Sequence, residues 1–583
     1  MWILAEKTPR DLGSIYTPPE IAQFLTSWAI QGPTDRVLDV GVGEGVFVFA
    51  AYDRLIELGS FAADAQSQLY GTEIDQSAYN RFLERARSLN VDFPNVYLGD
   101  FFDADLPPVN ALIGNPPYVR RTYIGNVDHI RQSVTVNNLA VGEVDLPRLT
   151  DLSIYFLLRA LAVLEPEGKL AVVTTDSWLY ANYGKVFKEY LLRNLEIEYL
   201  ISLDRRVFDD AQVKPVLILA TRKSETAQNR CTQFIRVKNG LPIRAVRESL
   251  AQSSTENGDI SRFKVRNNDL KADKPWGIHF KAPELYAELA SHPLMTPVAT
   301  LAHTRIGVQT LAKDFFVLTT EQVELAQIER EYLKPLAQSP RYYREPMIEG
   351  GTQPAFYIFY CSKSKEELQG TQALKYILEG ESKQVEIRGK GTAVIGYQNK
   401  RRIQESGRRP WYNLKTSLER RGCAAILIPR LVYRRFTVVW NRARFVPGEL
   451  FIEFLPLPPD RTDIKVYLAV LTSSVSEIML RAHAQVYGGG TYNIKPGQVE
   501  KVPILNTSLL TSAQKAQLEQ VYLRYLADRK HNRSTVDDVI CQILGFDKSM
   551  QQQIKEALDD LLQIATESKK AAQAIHNPSK SDS

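Results

Sequence analysis

The stretch VLDVGVGEG at 37–45 constrains the fold more than any other segment of this chain. Its apolar first half reads as a strand. Gly41, Gly43 and Gly45 then allow a tight turn, and VFVFAAYDRLIEL after it has the apolar spacing of a helix. A strand that feeds a helix through a glycine turn opens a βαβ unit. The pattern then recurs. QLYGTEI (68–74), NVYLGDF (95–101), ALIGN (111–115), KLAVVTT (169–175), YLISL (199–203) and PVLILATRK (215–223) are further strand candidates. QSAYNRFLERARSL, LSIYFLLRALAVL and YGKVFKEYLLRNL between them are helical. Such alternation implies an α/β fold, a mostly parallel sheet with helices on both faces.

Beyond about residue 240 the alternation stops. AILIPRLVYRRFTVVWNRARFVPGELFIEFLPL (425–457) reads as successive short strands, and 512–562 is polar and helical. The expected organisation is a first domain over 1–235, a second α+β domain over 236–510, a helical segment over 511–566 and a disordered tail over 567–583. Charge divides the same way. Residues 1–150 hold 11 Lys/Arg against 19 Asp/Glu, although the whole chain carries 72 against 67. The basic excess therefore lies in the back part, which points to a polyanionic partner there. The four cysteines form no CxxC pair and the seven histidines no ligand spacing, so neither a disulfide framework nor a metal centre is expected. With no signal-peptide layout and no apolar run of membrane-spanning length, a cytoplasmic, nucleoid-associated protein with no membrane partner is expected.

Acidic residues fall near three strand ends: Asp39, Glu73 and Asp100. The glycine turn lacks the Gly-Lys-Ser/Thr of a phosphate loop, and its GxGxG spacing differs from the dinucleotide GxGxxG. A carboxylate at Glu73 can accept from both hydroxyls of a ribose. Asp100 can accept from an adenine amine, and Phe101 can stack on the ring. Three carboxylates suit a cofactor without phosphates and with net positive charge, and S-adenosylmethionine is such a molecule.

IGNPPYVR (113–120) follows the fourth strand candidate and is the most specific signal in the chain. Two successive prolines fix φ and hold a stiff turn. The Asn115 side-chain oxygen and the Pro116 carbonyl can then face one small space and accept the two hydrogens of a planar amine. An aromatic amine is a poor nucleophile because its lone pair is delocalised. Two aimed acceptors favour a pyramidal nitrogen and stabilise the positive charge that grows during methyl transfer. Tyr118 can stack on the flat substrate.

TPPE (17–20), LDVGVGEGVF (38–47), GTEID (71–75), GDFFD (99–103) and IGNPPY (113–118) together resemble the motif series of the N6-adenine DNA methyltransferases, in the order of the γ class, to which TaqI-type modification enzymes of restriction-modification systems belong. The resemblance covers about residues 13–223 and extends more loosely through 300–505. It implies a Rossmann-like methyltransferase domain with a mixed, mostly parallel seven-stranded sheet, followed by a target-recognition domain. It implies that Thr17 and Pro19 close over the methionine part of S-adenosylmethionine, that Asp39, with Gly41 and Gly43 beside it, binds the amino-acid end, and that Glu73, Asp100 and Phe101 hold the adenosine. Asn115 and Pro116 would hold the target amine and Tyr118 would stack on the flipped base. Phe208 would be a second stacking aromatic, and Lys214 a nearby DNA contact. At Val40–Val42 the chain departs from relatives that carry a Pro-Ala-Cys-like stretch.

Residues 400–444 hold 13 Lys/Arg and 2 Asp/Glu, with Trp411, Tyr412, Tyr433 and Trp440 interspersed. Arginine forks suit phosphates and guanine edges, and aromatics suit stacking. Arg430, Arg434, Arg435, Arg442 and Arg444 are the expected contacts to double-stranded DNA. The function expected is transfer of a methyl group to the N6 amine of a flipped adenine in a specific duplex sequence, by a monomer that acts beside a separately encoded restriction endonuclease. The same motif also serves methyltransferases of RNA or of protein glutamine amides. A third reading is a DNA-binding module without activity.

Overall fold

The computed structural model describes residues 17–118, 130, 150–180, 183–203, 215–224, 231–237, 243–251, 260–280, 283–343, 345–387, 392–458, 462–487, 491–528, 530–559 and 561–562. They fall into two compact units, one built from residues up to Glu284 and one mainly from Leu285 onward.

In the first unit, α1 (Pro19–Ala29) precedes β1 (Val37–Asp39), α2 (Val46–Glu57), β2 (Leu69–Glu73), α3 (Gln76–Ser88), β3 (Val96–Leu98) and β4 (Val109–Gly114). Then come α4 (Leu152–Ala162), β5 (Leu164–Thr175), α5 (Gly184–Asn194), β6 (Leu195–Leu203), β7 (Pro215–Arg222), β8 (Cys231–Val237) and β9 (Ile260–Arg266). They build one sheet in the order β3-β2-β1-β4-β5-β7-β6-β8-β9. The sheet has nine strands where seven were expected, because β8 pairs parallel with β6 and β9 antiparallel with β8, beyond the last strand the sequence pattern marked. β7 lies antiparallel between β5 and β6, whereas β3, β2, β1, β4 and β5 run parallel.

The apolar runs of the central strands are continuous because both faces are covered. In β4, Leu112 points to the core that contains Leu157 and Leu158 of α4, and Ala111 and Ile113 point to the core that contains Leu25 of α1 and Val48 of α2. β5 alternates the same way, with Leu170 and Val172 on one side and Ala171 and Val173 on the other. Chain order reverses between β1 and β4: β1 leads outward to β2 and β3, β4 to β5. A crevice forms outside the carboxyl ends of strands at such a switch point, and there both the glycine turn and Asn115–Tyr118 leave the sheet.

In the second unit, β10 (Ala302–Ile306), β11 (Met347–Ile348), β12 (Ile426–Pro429), β14 (Val439–Asn441) and β15 (Phe451–Pro456) form a sheet in the order β10-β15-β12-β14-β11. Between β12 and β14 the two-residue β13 (Leu431–Val432) pairs with β16 (Thr491–Asn493). A second sheet joins Val317–Thr319, Phe356–Phe359, Leu333–Ala337 and Val446–Pro447. α6 (Ile464–Thr472), α7 (Ser474–His483), α8 (Ser512–Ala527) and α9 (Ser534–Ile543) share a core with Ile426, Ile428, Ile452 and Phe454. All ten residues of α7 are buried, charged ones included. Among the described residues no helix is long and apolar enough to cross a membrane.

Candidate functional site

The glycine turn and the Asn115–Tyr118 loop are in contact. A Cβ on Gly41 would lie 3.5 Å from the Asn115 carbonyl oxygen and 3.8 Å from Pro116 Cα. The Val40 N–H donates to the Ile113 carbonyl at 3.0 Å, so the β1–β4 pairing carries into the loops. Gly114, between them, has φ +127°, and a Cβ there would sit 2.5 Å from Asp39 Oδ1 and 3.0 Å from the Val40 nitrogen. Only glycine accommodates both the backbone conformation and the approach. The sequence signal for Gly114 was its place directly before Asn-Pro-Pro-Tyr.

Asn115 is fixed from the other side. Its Nδ2 donates to Thr17 Oγ1 at 3.0 Å, and its Oδ1 accepts from the Tyr118 hydroxyl. Thr17 is buried and Pro19 is exposed at the first position of α1, where proline's fixed φ and missing N–H suit a helix start. Pro116 is buried. Burial holds the Tyr118 phenol well above its ordinary pKa, so it stays a neutral donor. The Asn115 amide therefore turns its oxygen, not its nitrogen, toward Tyr118. That oxygen carries two lone pairs, so it can take a second donor.

The carboxylates around this corner differ. Glu73 ties the glycine turn to the end of β2: Oε2 accepts from the Gly43 N–H at 2.7 Å and Oε1 from the Asp75 N–H at 2.8 Å. Desolvation raises its pKa, and those two N–H groups oppose the rise. Gly43 has φ +56° and open space where a Cβ would be. Asp39 is 2% exposed. Its Oδ1 accepts from the Gly41 N–H at 3.1 Å, but its buried Oδ2 has no partner. Desolvation, with Glu73 adding to it and the Gly41 N–H opposing, pushes its pKa up to about 7. An orphaned buried carboxylate oxygen is costly unless a donor or cation meets it, so the corner fits a ligand that brings an ammonium group.

Asp100 and Phe101 occupy the turn after β3. Asp100 Oδ1 accepts from the Phe102 N–H at 2.9 Å. The Phe101 ring is 3% exposed and stacks on Phe156 at 4.8 Å, so one of its faces is already covered by core. The turn is anchored by a residue the sequence reading passed over. Arg159, buried on α4, donates to the Phe101 carbonyl at 3.3 Å and to the Ala104 carbonyl at 2.6 Å. A single arginine in the apolar LLRAL stretch was the available signal. Phe208 and Lys214 lie outside the described residues. Among the described residues no three His, Cys, Asp or Glu side chains could hold a metal ion together.

Residues 1–264 match the family profile described as N-6 DNA Methylase, and residues 278–540 match the C-terminal domain of Type II methyltransferase M.Eco57I. The chain belongs to the N-6 DNA methylases. It is 22% identical to Type II methyltransferase M.AccI of Acinetobacter calcoaceticus over 559 residues, which is 91% of this chain and 92% of that protein. It is 20% identical to Type II methyltransferase M.BstVI of Geobacillus stearothermophilus, over 94% of this chain and 98% of that one. Among solved structures it is similar to a nuclease-deletion mutant of the Type ISP restriction-modification enzyme LlaGI in complex with a DNA substrate mimic, with TM-score 0.49, 12% identity, and coverage of 88% of this chain and 54% of that chain.

In this methylase the arginine-rich segment divides into two kinds of residue. Arg421 pairs with Glu453 at 2.6 Å, and Arg305 pairs with the same carboxylate at 2.8 Å. Arg408 donates to the Thr310 carbonyl at 2.8 Å, and burial lowers its pKa. By contrast Arg434, Arg435, Arg442 and Arg444 are exposed, and Arg430 is half-buried. Arg442 sits over the Trp440 ring at 5.8 Å, and Arg444 donates to the Cys423 carbonyl at 2.8 Å. The aromatics divide too. Trp411 and Tyr412 were expected to offer rings to a nucleic acid; instead Trp411 packs against Phe315 and donates to Glu381 at 2.8 Å, and Tyr412 is fully buried. Spacing among arginines gave no sign of this, because partners such as Phe315 are remote in sequence.

Proposed function

We propose that the chain transfers a methyl group from S-adenosylmethionine to the N6 amine of an adenine flipped out of a specific duplex DNA sequence, as the modification enzyme of a restriction-modification system with a separately encoded endonuclease. The observation that carries this reading is the corner at the β1–β4 switch point, where Asn115 Oδ1 and the Pro116 carbonyl are held beside the glycine turn and an unpartnered Asp39 oxygen. When bound, the cofactor supplies an electrophilic methyl group on a sulfonium.

The residues divide the work. Asp39 Oδ2 accepts the cofactor's ammonium, which returns the carboxylate to its ionised form. Glu73 keeps lone pairs for the ribose hydroxyls while its bonds to Gly43 and Asp75 hold the turn. Asp100 and Phe101 border the adenine. The second lone pair of Asn115 Oδ1 and the Pro116 carbonyl accept the two hydrogens of the target amine. As the nitrogen bonds to carbon these acceptors stabilise its positive charge, and one hydrogen departs along them. Thr17 keeps the amide from turning over, which would present a donor to the amine. Tyr118 and Phe208 stack on the flipped base. Removing that base from the duplex costs about a few kcal/mol, which contacts from Lys214 and the exposed arginines to phosphate offset.

Methyl transfer from tritiated cofactor to duplex DNA, RNA and a glutamine-bearing protein tests the reading. Label is expected in N6-methyladenine of duplex DNA. Asn115→Ala is expected to lower kcat by roughly 10²–10³ while cofactor and DNA binding hold. Label confined to RNA or protein, or full turnover without Asn115, would refute it.

A further inference from the structure

Helices α8 and α9 have no role in the chemistry above, yet a buried chain of charges runs from α9 to the exposed arginines. Arg533, at the N-terminus of α9, pairs with Glu477 Oε2. Asp537 on the same helix accepts from the Ser474 N–H and hydroxyl, both at 2.6 Å. Glu477 Oε1 accepts from Arg481 Nε at 2.6 Å, and the two side chains are 3% and 2% exposed. Arg481 then donates to two consecutive carbonyls, Tyr433 at 2.9 Å and Arg434 at 3.1 Å. Those carbonyls belong to the turn that carries Arg434 and Arg435.

The turn needs such an anchor. Its pairing to β16 ends at Val432, and β14 begins only at Val439. A guanidinium fork is rigid and planar, so two carbonyls and one carboxylate around it fix the backbone in one conformation. Burying two arginines and a glutamate is expensive and is seldom a net gain in stability over an apolar packing. We infer that Arg481 is a positioning residue for DNA binding, and that α9 sets the conformation of the Tyr433–Thr437 turn through Arg533 and Glu477. The inference rests on the proposed reading that Arg434 and Arg435 contact DNA.

The test is duplex binding by the full chain across a salt series, with cofactor affinity and thermal unfolding measured on the same samples. Arg434→Ala with Arg435→Ala comes first, and a salt slope smaller by about 2 is expected. An unchanged slope removes the turn from the DNA interface and the inference with it. R533A and R481K are then each expected to weaken binding about tenfold and lower the slope, with cofactor affinity unchanged. R533K is expected to restore part of the loss. In the R434A/R435A background the same substitutions are expected to have little further effect. An undiminished loss in that background, or a fall in unfolding temperature with an unchanged slope, would overturn the positioning role while leaving the DNA reading of the turn intact.

Discussion

Asp39 and Glu453 are both buried carboxylates, one in each unit, and their surroundings are opposite. Glu453 is 0% exposed; it accepts from Arg421 and Arg305 and from the Ala424 N–H at 3.3 Å. Its charge and lone pairs are met within the protein, so it holds β10 and β15 to the Arg421 helix end and is closed to anything else. Asp39 is 2% exposed with one N–H donor and one oxygen without a partner. A carboxylate that the fold has already satisfied is structural; one left short at the mouth of a switch point is waiting for a ligand.

Replacing each carboxylate should therefore fail in a different assay. The largest effect is expected from Glu453→Ala, which strands two guanidiniums and should cost about 3–5 kcal/mol of stability in chemical denaturation. Asp39→Asn should do the reverse: unfolding free energy stays level or rises, because a buried charge is removed, while cofactor affinity falls by about 2–3 kcal/mol in calorimetric titration. If Asp39→Asn instead unfolds the protein, the contrast between the two sites is broken.

Proton linkage sharpens the same contrast. With its folded pKa at about 7, above the model value of 3.8, Asp39 is protonated in the native state where the unfolded chain is already ionised. Its effect on stability is thus a cost that grows as pH rises from the unfolded toward the folded pKa and levels off above. Cofactor binding needs the ionised form, so affinity should rise with pH through about 7 and then plateau, and Asp39→Asn should flatten that profile. The smallest effect is expected from Arg442→Ala. This exposed side chain should leave stability within about 0.5 kcal/mol and lower the salt slope of DNA binding by about 0.9.

The two regions were also unequally legible. Around Asp39 the chain announces itself: glycines at alternate positions after a strand, an acid at a strand end, two prolines after an asparagine. Each is a local restriction on φ or a local periodicity, and each can be read within a few residues. In 400–444 the sequence offers thirteen cations and four aromatics that look alike. Glu453, whose FIEFLPL context suggests an ordinary strand residue, decides that Arg421 is structural, and Phe315 helps decide that Trp411 is core.

The sequence by itself determined the alternation of strands and helices in the first unit, the glycine turn, and the Asn-Pro-Pro-Tyr corner. Periodicity and backbone sterics act over short stretches, so they survive without knowledge of the fold. Only the tertiary structure decided that the sheet has nine strands, that Thr17 grips Asn115 across 98 residues, that Arg159 holds the Asp100 turn, and which arginines remain at the surface. Those outcomes depend on which atoms meet when remote segments pack. A buried charge settles on whatever partner packing brings within about 3 Å, wherever that partner lies along the chain.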